Sequence, residues 1–135
     1  MAGFTPDEGE KLLAQIAFLR THVDRDADLE LGLFTDAAPG ETITEATINE
    51  PTGGGYARIT LTDASWSIPA SIASYAQQTF TAGAGGYTGA VYGYFIASKS
   101  SGGTQRLLFV EIDPAGPFTL TENDTYKVTP NITAI

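Results

Sequence analysis

The chain has 135 residues, with 7 Lys+Arg against 16 Asp+Glu, a single His, no Cys and 42% apolar residues. This length suits one domain that buries about two thirds of its extended surface. The apolar share excludes a disordered tail, and no apolar run approaches the roughly 20 residues of a membrane span. A net charge of −9 argues against a nucleic-acid partner, because displacing counterions takes clustered Lys and Arg. The absence of Cys removes disulfides, thiolate zinc sites and thiol nucleophiles. No charged-then-apolar leader with a small-residue cleavage site opens the chain, so export by a signal peptide is not expected.

The first element is a helix. Thr5-Pro6-Asp7-Glu8 reads as a capping box, with Thr5 at the N-cap, Pro6 at the first helical position and Glu8 reaching back to the Thr5 amide. Leu12, Ile16, Leu19 and Val23 then recur at helical spacing, with Leu13 widening the stripe. An amphipathic helix is predicted over 6–22, its last turn holding His22, where an imidazole meets the negative end of the dipole.

Beyond Asp24 the composition turns to Thr, Gly, Val, Ile and aromatics in alternation, and the remainder, 28–135, reads as β. Strands are predicted at 29–34, 42–48 and 56–62, with 69–76 as loop and a further strand at 77–82. Segment 90–98 is apolar on both faces and reads as a central strand, with 105–112 as its hairpin partner. Short strands at 118–120 and 126–129 close the chain. Many short strands, Gly- and Pro-rich turns and one terminal helix predict a single mainly β domain over 1–135. Its expected form is an antiparallel β-sandwich, jelly-roll-like, or a barrel, with an N-terminal helical appendage.

Candidate chemistry is sparse. Asp24, Asp26 and Asp28 alternate as in the first half of a calcium loop. However, Leu29 stands where the turn glycine belongs and Thr35 where the closing Glu belongs, so a solvated acidic junction is the better reading. His22 would have to carry any histidine-dependent catalysis alone, and no Ser sits in a Gly-x-Ser-x-Gly elbow. Glu111 with Asp113, or Glu122 with Asp124, could form a glycosidase pair, but both pairs lie at turns. The glycine clusters at Gly53 and Gly83 lack the Lys-Ser/Thr end of a P-loop. Two glycosylation acceptor patterns, at Asn123 and Asn131, carry little weight without an export signal. Six tyrosines, among them Tyr92 and Tyr94, leave an aromatic carbohydrate site open. No catalytic residue, metal site or cofactor is expected.

The order of signatures resembles small β-rich structural proteins of tailed bacteriophages. The resemblance runs over nearly the whole chain. It is carried by Gly9-Glu10 and Leu12-Leu13, then Leu29 to Thr35 (LELGLFT), Gly55 to Leu61 (GYARITL) and Trp66. Thr79-Phe80-Thr81, Val91 to Phe95 (VYGYF) and Val128-Thr129-Pro130 complete it. It implies a non-enzymatic virion component, first a capsid decoration or cement protein on the outer particle surface, bridging major capsid subunits after assembly in the host cytoplasm. A tail-fibre or tail-tip module that binds a host glycan or another tail protein is the alternative, and a small β-fold enzyme the third. The expected partners are the major capsid protein or another virion protein and further copies of the chain, most simply as a homotrimer, with no nucleic acid and no membrane. Leu12, Ile16, Leu19, Tyr92 and Tyr94 are the candidate interface residues.

Overall fold

Strands β2 (Leu29–Phe34), β6 (Gly93–Ser98) and β7 (Leu107–Ile112) form the centre of the domain, and their apolar runs are explained by cover on both faces. The computed structural model describes residues 2–19 and 24–133. Around that centre lie β1 (Ala2–Phe4), α1 (Asp7–Phe18), β3 (Ile59–Leu61), β4 (Ile72–Ser74), β5 (Gln78–Thr81), β8 (Thr125–Val128) and β9 (Asn131–Thr133). The main sheet is antiparallel with order β1-β7-β6-β2-β3, and two-stranded sheets β4-β9 and β5-β8 accompany it. β1 and β3 end the main sheet without pairing to each other, so the barrel expected as one alternative does not close.

One face of the main sheet carries Leu29, Leu31, Leu33, Tyr94 and Ile96 against Phe80, Tyr126 and Val128 of the β5-β8 sheet. The other gathers Phe34, Phe95, Ala97, Leu107 and Val110 over Ile48. Leu107 and Phe109 lie two residues apart yet serve opposite faces. The cause is a register shift, in which Ile96 pairs with Phe109 and Ala97 with Leu107, leaving Leu108 as the extra residue of a bulge.

The bulge anchors the helix. Glu8 Oε1 accepts the Leu107 amide at 2.5 Å and the Glu45 amide at 2.6 Å. Gly9 lies so close to the Leu107 and Leu108 carbonyls that a Cβ there would collide with backbone. These contacts override the predicted capping box. Pro6 is the N-cap, no side chain caps it, and the Asp7 amide donates to the Glu41 carbonyl instead. A carboxylate that satisfies two tertiary amides is not available to its own helix. The helix is also shorter than predicted, since Leu19 is already extended at the C-cap. Arg20, Thr21 and His22 of its predicted last turn, and Val23 of the predicted stripe, lie outside the described residues.

Other departures have local causes. Segment 42–48 is not a strand but successive turns, with Ile43 and Ile48 amides donating to Gly40 and Thr44 carbonyls. Thr44 and Thr47 hydroxyls bond one another at 3.0 Å, the local competition that Thr offers to a ladder. The strand predicted at 56–62 pairs only over 59–61. The Leu33 amide, which would continue the ladder, donates to the Tyr56 hydroxyl at 2.9 Å. The predicted loop 69–76 contains β4, paired with β9 beyond Pro130, and β1 was not expected at all. Phe118 contributes one bridge to Val91 rather than a strand.

The acidic junction is solvated at Asp26 and half-buried at Asp28, and only Asp24 is drawn into the interior. Asp24 is 5% exposed, accepts Arg106 Nε at 2.6 Å and the Thr104 amide at 3.1 Å. The hydrogen bond from Arg106, then that from Thr104, holds its carboxyl at about 2 despite the opposing effect of burial. Because the folded value lies below the ordinary 3.8, the stabilisation is complete above about pH 4 and is lost as the pH falls through about 2. In urea titrations, Asp24→Asn is therefore expected to be less stable than the parent at pH 7, with the gap closing toward pH 2. A gap independent of pH would contradict this. Asp26 and Asp28 turn elsewhere, to Ser101 and to the Asp63 amide, so the three carboxylates do not converge.

Candidate interaction surface

Two polar clusters and one apolar groove stand out, and their chemistry differs. In the first cluster Arg58 donates to Glu50 through Nε at 3.0 Å and Nη2 at 2.9 Å, and through Nη2 to Glu45 at 2.9 Å. Glu30 lies 3.7 Å from Nη1 and also accepts Gln105 Nε2 at 2.8 Å. The guanidinium sits 5.0 Å from the Phe95 ring centre, and Tyr56 Oη donates to Glu50 at 2.7 Å while accepting the Leu33 amide. Every polar arm of this cluster ends on another part of the protein. It ties the 40s and 50s loops to β2, β6 and the approach to β3, and it leaves no free nucleophile or base.

The second cluster contains the paired acids Glu111 and Asp113. Tyr126 Oη donates to Asp113 at 2.9 Å. Tyr94 is 3% exposed, and its ionisation is pushed up by burial first, then by its hydrogen bond to Glu111. Both carboxylates are thus engaged by neutral phenols from the core. The other pair separates from any such arrangement, because Asp124 folds back onto the Thr121 amide and hydroxyl, both at 2.9 Å.

The groove is built differently. It encloses about 680 Å³ between Leu13 of α1, Leu108 at the bulge of β7, Ile132 of β9 and a protruding arm over 66–75. Mutual Ser67 and Ser74 main-chain bonds at 2.9 and 2.8 Å close the arm. At its base Trp66 meets Tyr75 edge-on, with ring centres 5.1 Å apart. The Trp66 indole nitrogen is buried without a hydrogen-bond partner among the described residues.

Among the described residues the exposed large apolar side chains fall on two elements only. Leu13, Ile16, Phe18 and Leu19 lie on α1 and its C-cap, while Ile68 and Ile72 lie on the arm. Phe18 is 86% exposed and Ile68 66%, so these side chains are presented to solvent rather than grazing it. Of these side chains, Leu13 and Ile68 both line the groove.

The residues expected at an interface divide between surface and core. Ile16 and Leu19 are exposed; Leu12 is fully buried, Tyr94 is nearly so and Tyr92 is half-buried. The arm was not anticipated. Its signal was Ile68 and Ile72 flanking Pro69 in a stretch too short and irregular to be a buried strand. Neither a protein-family model, nor a curated protein, nor a solved structure matches this chain.

Proposed function

We propose that the chain is a non-enzymatic virion structural protein of a tailed phage, a capsid decoration protein that docks on the major capsid protein through the α1 and arm surface. In this reading the main sheet and the small sheets pack as a sandwich that serves as a rigid platform, and no cofactor is required. The carrying observation is the collection of exposed apolar side chains on two neighbouring elements of an otherwise acidic, Thr- and Gly-rich surface. The resemblance of the sequence to phage structural proteins supplies the context. The tail-module alternative draws less support, because none of the six tyrosines is exposed: each is buried or half-buried. An enzymatic reading draws little, because Glu111, Asp113 and Asp124 of the two carboxylate pairs are engaged by Tyr94, Tyr126 and Thr121.

Quantitative mass spectrometry of purified particles tests the proposal. A fixed simple ratio to the major capsid protein is the expected result. A handful of copies per particle would assign the chain to the tail, and absence from the particle would overturn the virion reading.

A further inference from the structure

Residues 36–50, between β2 and β3, lie against the core face of Phe34 and Phe95 without joining any sheet. Among the described residues, main-chain bonds fasten this strap to the rest of the fold only at the Glu41 and Asn49 carbonyls, which accept the Asp7 and Thr35 amides. Ile48, 8% exposed, is its sole buried residue. The remaining polar fastenings are carboxylates. Glu8 of α1 accepts the Glu45 amide, and Asp36 accepts Asn49 through the amide at 2.8 Å and Nδ2 at 2.7 Å. Glu45 and Glu50 take Arg58, whose guanidinium also faces Glu30 of β2. Tyr56 donates to Glu50, and burial pushes its ionisation up, so it stays neutral in acid. Glu41, the remaining titratable group of the strap, is exposed. By contrast, β2, β6 and β7 are joined by main-chain ladders and buried apolar side chains, neither of which takes up a proton.

We propose that residues 36–50 form an acid-operated strap, which lifts from the main sheet as the pH falls while that sheet stays folded, exposing Ile48 and the core face beneath it. Protonating Glu45 and Glu50 strips Arg58 of their counter-charge, and a proton on Glu8 or Asp36 weakens hydrogen bonds that draw their strength from the ionised carboxylate. Arg58 keeps its own charge and is better hydrated once the strap has left it, so its desolvation favours opening when the acids are neutral. The fastenings are coupled. Glu45 is held through its amide by Glu8 and through its carboxylate by Arg58, while Arg58 also holds Glu50 at the far end, so the segment opens as a unit. The device is independent of the docking reading above.

Hydrogen exchange read by mass spectrometry, corrected for the intrinsic effect of pH on amide exchange, tests the proposal. The Glu45, Ile48 and Asn49 amides are hydrogen-bonded in the closed strap and report on it directly. Between pH 7 and about pH 4 they are expected to lose protection by about tenfold or more, while the amides of β6 keep theirs. Glu45→Gln/Glu50→Gln retains the acceptor oxygens without the charge, and it should open the strap at pH 7 and flatten its response to acid. Loss of protection in 36–50 and β6 together, or none in 36–50 down to about pH 3, would overturn the proposal. A folded double variant whose strap stays closed at pH 7 would overturn it as well, and if that variant fails to fold, the titration of the parent protein alone decides.

Discussion

Arg58→Ala is expected to lower unfolding stability by about 3 kcal/mol or more, the largest effect of any single polar substitution in this protein. The guanidinium is only 16% exposed and holds Glu45 and Glu50 at 2.9 Å with Glu30 at 3.7 Å. Removing it leaves three carboxylates facing one another with their charge uncompensated, and breaking a buried pair in this way costs about 3–5 kcal/mol. The side chain also covers Phe95, a fully buried residue of the second core face, so truncation exposes apolar surface there. Arg58→Lys should recover only part of the loss, because an ammonium cannot make the two-pronged contact with Glu50. Equilibrium urea unfolding at pH 7 measures both. A loss below about 1 kcal/mol for the alanine variant would mean that the cluster is a surface decoration and not a clamp on the loops.

The strands that were legible in the sequence are those whose reason for being apolar is simple. β2, β6 and β7 are covered on both faces, and nearly continuous runs such as Phe95 to Ala97 leave little room for another interpretation. β5 and β8 were legible because turn residues bound them on both sides. β1, β4 and β9 are three residues each, too short to show a period, and they exist because distant segments lie alongside. The capping box failed for a related reason: Glu8 has a better use at Leu107, ninety-nine residues away, which no local pattern reveals.

The proposed contact surface was half legible. The stripe on α1 was visible, but a stripe says only that a helix has an apolar face, not how much of it its own domain covers. Here the domain takes Leu12 and Gly9 and leaves Leu13 and Ile16 exposed. Tyr92 and Tyr94 read as surface candidates because Tyr is amphipathic, yet Tyr94 delivers its hydroxyl to Glu111 from inside the core. The arm carries the opposite lesson, for a segment without regular alternation presents Ile68 and Ile72 to solvent.

The second large effect belongs to that surface. Leu13 and Ile68 are 41% and 66% exposed, so replacing both with Asp removes little that the isolated domain needs. Their loss at an interface is another matter, because each introduces a charge into an apolar contact and central contact residues are worth about 2 kcal/mol or more apiece. The Leu13→Asp/Ile68→Asp protein is therefore expected to unfold within a few degrees of the parent while its affinity for the particle falls by about a hundredfold or more.

The most direct measurement is the binding of this double variant, alongside the parent protein, to purified heads from which the native chain has been stripped. The account predicts that the parent re-attaches at a fixed ratio to the capsid protein and that the folded variant remains in solution. Re-attachment of the variant at the parent's ratio and affinity would contradict it.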